Sequence, residues 1–118
     1  MFPLEHDEQK SVVTWASTME TKFPALKLLY AIPNGGHRHK ATAARLKAEG
    51  VKPGVPDLHL PVPRNGYHSL YIEMKRRRGG RVSDEQKAWK EALQHEGHRV
   101  EICRGFEEAR DALLNYLT

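Results

Sequence analysis

The chain has 118 residues, of which 39% are hydrophobic, so it can build one compact core but is too short for two ordinary domains. We therefore take residues 1–118 as one domain. The single cysteine, Cys103, excludes an intramolecular disulfide and a thiolate zinc site, and it favours a reducing compartment. The formal net charge of +4 weakly favours an acidic partner such as nucleic acid.

The N-terminal region has neither the basic start nor the apolar stretch of a signal peptide. No apolar run in the sequence approaches the length of a membrane span. We expect a soluble, cytoplasmic protein.

The first part of the chain predicts a helix, a strand and a second helix. Residues 4–21 have a helical pattern because large apolar residues recur every three or four positions on one face: Val12, Trp15 and Met19. Residues 26–32 are an apolar run of strand length, bounded by turn residues. Residues 41–49 are alanine-rich and helical.

The remaining elements are predicted as two strands, a helix, a strand and a helix, at residues 58–62, 69–75, 83–96, 99–103 and 106–117. Asn65-Gly66 between the first two strands indicates a hairpin. Ser83, followed three residues later by Gln86, is typical of a capping box at a helix start. The order predicts an α/β fold in which helices flank a small mixed sheet.

Two carboxylates and a lysine are expected to converge at one edge of this sheet. Alternate side chains of a strand share a face, so Glu73 and Lys75 point the same way. The hairpin brings Asp57, at the start of the preceding strand, alongside them. The alternative is a partly exposed strand that carries an ordinary surface Glu/Lys pair.

Such a set suits the cleavage of a phosphodiester. A hard divalent cation bound by carboxylate oxygens neutralises the phosphate charge and activates water, and this donor type favours Mg²⁺ or Mn²⁺ over zinc. Lys75 can hold the attacking water or offset charge that develops on the phosphate.

The same residues resemble a known nuclease signature. Pro56-Asp57, followed by Glu73-Met74-Lys75, is similar to the PD-(D/E)XK motif. More narrowly, the chain resembles a stand-alone VRR-NUC domain over nearly its whole length, in the stretches IPNGG at 32–36, LKAEGV at 46–51, GVPDL at 54–58, YIEMK at 71–75 and GRVS at 80–83.

The resemblance implies a restriction-endonuclease-like αβββαβ core, Mg²⁺ or Mn²⁺ as cofactor, and DNA cleavage. It also implies structure-directed cutting of branched substrates such as Holliday junctions and flaps, a role in DNA repair, and a homodimer of bacterial or phage origin, at work in the cytoplasm of the bacterium or infected cell.

The resemblance further implies roles for individual residues. Asp57 and Glu73 would be metal ligands, Lys75 the catalytic lysine, and Gln86 a neighbour of the site from the following helix. An acidic residue of the first helix would complete the site, and we choose Glu8, with Glu5 as the alternative. The predicted metal set also contains Met74, and the catalytic set is Asp57, Glu73, Lys75, Gln86 and Glu8.

Two segments are candidates for contact with the DNA backbone. The loop after the catalytic strand carries Arg76, Arg77, Arg78 and Arg81, which either contact phosphates or form an ordinary solvated loop. A second segment could hold a phosphate at a helix start through Asn34, His37, Arg38, His39 and Lys40. The alternative is that this segment is a simple turn.

Two other interpretations stay open from the sequence. One is a nucleic-acid-binding module that keeps the fold without cleaving, and the other is a subunit of a repair complex. The complete Asp57, Glu73 and Lys75 set favours a nuclease over both.

Overall fold

A computed structural model describes residues 3–33 and 40–118. Its elements, in chain order, are helix α1 (Glu5–Thr18), a 3₁₀ helix (Pro24–Leu28), strand β1 (Tyr30–Ala31), helix α2 (Lys40–Ala48), strand β2 (Leu58–Leu60), strand β3 (Leu70–Lys75), helix α3 (Asp84–His95), strand β4 (Arg99–Arg104) and helix α4 (Phe106–Leu117). Within the described ranges, no helix is long and apolar enough to cross a membrane.

The four strands form one mixed sheet in the order β1-β2-β3-β4. β2 pairs antiparallel with β1 and with β3, whereas β3 and β4 are parallel and are connected through α3. The predicted α/β architecture, a small mixed sheet with flanking helices, is therefore confirmed.

The hydrophobic core lies between the sheet and the helices α1 and α4. Every second residue of β2 and β3 enters it, and the helices contribute small and large apolar side chains from one face. Its large, fully buried side chains are Val12, Leu58, Leu60, Leu70, Ile72, Met74, Leu113 and Tyr116. The opposite face of β3 therefore remains for the charged residues of the strand.

One predicted strand is mostly not a strand in the structure. Within residues 26–32, only Tyr30 and Ala31 form a strand, and a 3₁₀ helix precedes them. Pro24 explains the difference, because its fixed φ and missing N–H suit the first residue of a helical turn. The turn places Leu26 in the core and leaves β1 as a very short edge strand.

The predicted hairpin turn between β2 and β3 is present. Asn65 and Gly66 both have positive φ, at 53° and 84°, as a tight turn between antiparallel chains requires. Arg64 and Tyr67 pair across the turn through two backbone hydrogen bonds. This hairpin sets the register that brings the start of β2 beside the end of β3.

Candidate active site

The end of β3 carries two charged side chains that are almost fully buried. Glu73 is 3% exposed and Lys75 is 5% exposed, and they lie on the face opposite to Ile72 and Met74. The predicted alternation along this strand is therefore correct. Burial of both charged groups indicates that neighbouring polar groups must stabilise them.

Asp57 lies directly before β2 and faces the same region. The antiparallel pairing of Leu58 with Ile72 puts Asp57 one position further along, opposite Glu73. Its Oδ2 accepts a hydrogen bond of 2.8 Å from the backbone N–H of Met74. The sheet register and this hydrogen bond together hold the Asp57 carboxylate beside Glu73.

The third carboxylate of the cluster comes from Glu5, in the first turn of α1. One carboxylate oxygen each of Glu5, Asp57 and Glu73 lies within 4.8 Å of the other two. Our first choice for this position, Glu8, is not brought to the cluster. The Glu8 carboxylate accepts hydrogen bonds from Arg77 instead, at 2.9 Å from Nε and 3.4 Å from Nη2.

Glu8 pairs with Arg77 because Gly105, where β4 meets α4, leaves space for the two side chains. A Cβ at this position would lie 2.7 Å from Arg77 Cγ and 2.7 Å from Glu8 Oε2. Because glycine has no side chain, Arg77 can reach across to the buried carboxylate of Glu8. Glu8 therefore connects α1 to the loop after β3, and Glu5, one turn earlier, remains for the carboxylate cluster.

Crowding of the carboxyl groups changes their acidity. Burial first, and then the neighbouring Asp57 carboxyl, raise the pKa of Glu73 to about 9. The pKa of Glu5 is also raised, first by burial and then by the charge of Asp57. Such a cluster holds its negative charges poorly unless a cation is present.

One oxygen of Glu73 has no hydrogen-bond partner among the described residues. Its Oε1 is buried and accepts no hydrogen bond, whereas its Oε2 accepts one of 3.1 Å from Gln86 Nε2. An unsatisfied buried carboxylate oxygen is costly and is uncommon in folded proteins. Because Glu73 belongs to the carboxylate cluster, this oxygen is available to a bound cation.

Gln86 connects Glu73 to Lys75. Its Oε1 accepts a hydrogen bond of 2.8 Å from Lys75 Nζ, and its amide donates to Glu73. Lys75 Nζ also donates to the carbonyl oxygen of Arg81 at 3.0 Å and lies 4.0 Å from Glu73 Oε2. The lysine is therefore held in place by contacts from two directions.

The same glutamine also caps α3. The N–H of Ser83 donates to Gln86 Oε1, and the N–H of Gln86 donates to Ser83 Oγ, which confirms the predicted capping box. One side chain thus satisfies the start of a helix and orders two site residues. The sequence indicated the helix cap and indicated that Gln86 lies near the site. It did not indicate that the amide of Gln86 both caps the helix and binds the site residues.

Met74 contacts the site only through its backbone. Its side chain is fully buried in the hydrophobic core, so the thioether is not a ligand of the cluster. This burial follows from strand alternation, which sends the side chains next to Glu73 to the opposite face.

The basic loop is partly tied to the protein itself. Arg77 is paired with Glu8, and the guanidinium of Arg104 donates to the carbonyl oxygens of Gly79 and Gly80. The side chains of Arg76, Arg78 and Arg81 are exposed. DNA contact by all four arginines of the loop stays a prediction, and the charge of Arg77 is already paired with Glu8.

The second predicted DNA-contact segment is described only at its end. Lys40 is exposed and begins α2. The other four predicted residues of this segment, Asn34, His37, Arg38 and His39, lie outside the described residues.

Comparison with known proteins decides the family. The VRR-NUC domain model matches residues 3–107, which is most of the 118-residue chain. The chain belongs to the VRR-NUC domain family. A solved structure described as a VRR-NUC domain protein is similar to it, with a TM-score of 0.84 and 27% sequence identity over 98% of this chain and 89% of the other. None of the curated proteins compared with the chain matches it.

Membership of the VRR-NUC family implies a nuclease-type function, and hence a DNA substrate and a divalent metal. The acidic cluster of Glu5, Asp57 and Glu73 is the group of possible metal ligands in the described part of this VRR-NUC domain. Its carboxylate oxygens are donors of the type that a hard divalent cation prefers.

Proposed function

We propose that this domain is a DNA endonuclease that hydrolyses phosphodiester bonds with Mg²⁺ or Mn²⁺. The observation that carries the proposal is the cluster of three carboxylates, in which one oxygen of Glu73 is buried without a hydrogen-bond donor. In this assignment Glu5, Asp57 and Glu73 are the metal ligands, and Lys75 is the catalytic lysine.

The donor set fits such a cation. All three side chains offer carboxylate oxygens, which suit hard ions such as Mg²⁺ and Mn²⁺ better than the softer zinc. A positive charge at this place would also offset the burial and the neighbouring negative charge that raise the pKa of Glu73 and of Glu5. When bound, the cation supplies positive charge beside the phosphodiester and activates a water molecule for attack.

Lys75 acts next to the cation through Nζ. Its contacts with Gln86 Oε1 and the Arg81 carbonyl aim the amino group towards Glu73, 4.0 Å away. From there it can orient the attacking water or balance charge on the phosphate during cleavage. Gln86 is a positioning residue in this scheme, because it orders Glu73 and Lys75 through hydrogen bonds.

The finer parts of the proposal rest on the family. We propose that the substrate is branched DNA, such as a junction or a flap, that the enzyme serves DNA repair in a bacterial or phage-infected cytoplasm, and that it works as a homodimer. A two-fold axis would place two sites for paired cuts in a symmetric junction.

The test is a panel of labelled junction, flap, single-stranded and duplex DNAs, incubated with Mg²⁺, Mn²⁺ or EDTA. We expect cleavage with either metal, none in EDTA, and a loss of at least about a hundredfold in Glu73→Gln, as expected for loss of a metal ligand. Glu91→Gln is the matched control, since Glu91 is an exposed carboxylate on α3.

The outcomes separate the alternatives. Equal rates in Glu73→Gln and the wild type would assign the cleavage to a contaminant and contradict the proposed site. DNA binding by the wild type without cleavage in either metal would favour a binding module or a subunit of a repair complex.

A further inference from the structure

A cavity of about 510 Å³ adjoins the carboxylate cluster. One wall is the start of α1, with Glu5, His6 and Gln9, and Asp57 lies beside it. Its volume falls in the range of roughly 300–1,000 Å³ that is typical of small-molecule sites. Because the cavity shares Glu5 and Asp57 with the cluster, anything bound in it lies next to the candidate metal site.

A second wall of the cavity is apolar. It is formed by Ala31, Ile32 and Pro33, which lie at the end of β1 and directly after it. Such a wall can pack against a flat apolar face, but it offers no side chain that forms a hydrogen bond. The two walls of the cavity therefore differ in chemistry.

Gln9 contributes an amide side chain to the α1 wall. It is partly buried, and its amide makes no hydrogen bond to the described part of the chain. An amide offers two donors and an acceptor in one plane, the pattern that complements the edge of a nucleobase. Gln9 thus presents an unused recognition group towards the cavity.

We propose that this cavity binds the nucleoside next to the scissile phosphate, with Gln9 recognising the edge of its base. A nucleobase has flat apolar faces and polar edges, which match the apolar β1 wall and the amide of the α1 wall. The phosphate of the same nucleotide then lies at Glu5 and Asp57, where the cation would hold it. This inference rests on the proposed nuclease function and extends it to the recognition of the substrate.

The site takes an unpaired nucleotide. A base inside a duplex is stacked on both faces and uses its Watson–Crick edge for pairing, so it must leave the stack to enter a cavity in the protein. Unstacking costs a few kcal/mol in a perfect duplex and least where the strand is already unpaired. Cleavage should therefore be fastest where the nucleotide at the cut is single-stranded.

Binding of minimal ligands tests the cavity without requiring cleavage. Deoxynucleoside 5′-monophosphates and deoxyribose 5-phosphate are titrated into the protein in Mg²⁺ by isothermal titration calorimetry. We expect the nucleotides to bind about tenfold more tightly than the sugar phosphate. Gln9→Ala should reduce this preference about two- to tenfold, as expected for one lost hydrogen bond.

Two further variants make the result specific. Gln9→Leu keeps a side chain of similar size but removes the amide, so it should lose the preference in the same way. Gln94→Ala is the matched control, because Gln94 is an exposed amide on α3, away from this cavity. Thermal unfolding of each variant establishes that the protein remains folded.

This inference and the proposed function can fail separately. If nucleotides and the sugar phosphate bind equally, or if the Gln9 variants keep the wild-type preference, the subsite is overturned even if the enzyme cleaves DNA. If nucleotides bind with the expected preference but no DNA in the panel is cleaved, the subsite stands and the nuclease function is overturned.

Discussion

The proton on Glu73 links the stability of the metal-free protein to pH. The pKa of Glu73 is raised to about 9 in the folded state, above its ordinary value of 4.5. Between these two values the unfolded chain has lost the proton while the folded chain keeps it. Stability should therefore fall as pH rises through this window.

Removing the carboxylate should remove this dependence. We expect Glu73→Gln to be more stable than the wild type in EDTA, with a difference that is larger at pH 8 than at pH 6. Urea unfolding at both values measures it, and Glu91→Gln serves again as the exposed control. A constant difference between pH 6 and pH 8 would contradict the raised pKa.

Saturating Mg²⁺ should stabilise the wild type but not Glu73→Gln, because ligand binding favours the folded state.

The limits of sequence reasoning are clearest for the acidic residues of α1. Glu5 and Glu8 are three residues apart, so a helical pattern places both on nearly the same face. The choice between them depends on Gly105 and Arg77, which are far away in sequence and meet Glu8 only in the folded protein. Asp57, Glu73 and Lys75 were predictable because hairpin register and strand alternation are local rules.

At the scale of single elements, the start of α3 is part of the site. Gln86→Ala removes the hydrogen bonds to Glu73 and Lys75 together with half of the capping box. Ser83→Ala removes the cap hydroxyl but leaves those two hydrogen bonds in place. Ser83→Ala should cost about 1 kcal/mol of stability. Gln86→Ala should cost at least as much, because it also removes a hydrogen-bond partner from two buried charged groups.

Their effects on turnover should differ. We expect kcat to fall about 10- to 100-fold in Gln86→Ala, the range seen when partners of site residues are removed, but only slightly in Ser83→Ala. Steady-state kinetics and urea unfolding of the two variants make the comparison. Equal losses of kcat would mean that Gln86 acts only through the stability of the helix.

The loop after β3 offers a prediction about DNA affinity. Arg76 and Arg81 are exposed beside the site. If both contact phosphates, the Arg76→Gln/Arg81→Gln variant should bind all sequences more weakly, and the slope of log affinity against log salt should shrink by up to about 1.8. Fluorescence anisotropy over a series of salt concentrations measures this slope, and an unchanged slope would identify a solvated loop.

The elements themselves were predictable to different degrees. α3 follows apolar periodicity and a cap, and α4 follows apolar periodicity, so the bounds of both agree closely with expectation. The region around β1 does not agree with expectation. Pro24 begins a helical turn that extends into an apolar run, although the run also satisfies a strand pattern. Apolar runs of this length do not distinguish the two by themselves.

At the scale of the whole molecule, the apolar faces of α1 and α4 are used within one chain. Val12, Leu113 and Tyr116 are fully buried, and Trp15, Met19 and Leu117 pack around them. These residues therefore give no separate support for a partner surface. In contrast, α2 has no fully buried residue.

The homodimer accordingly stays a prediction that rests on the family. Analytical ultracentrifugation at micromolar concentration should give a species near twice the 13.5 kDa mass of one chain. The measurement is repeated with Glu73→Gln bound to a junction. A monomer under both conditions would contradict the dimer.

The double use of Gln86 also has a consequence for the response to heat. Helix ends fray at temperatures at which the rest of a protein stays folded, and such local opening is ordinarily silent. Here, opening of the first turn of α3 would release Glu73 and Lys75 from the amide that orders them. An Arrhenius plot of cleavage should therefore bend downward several degrees below the calorimetric melting transition, and Ser83→Ala should move the bend to lower temperature.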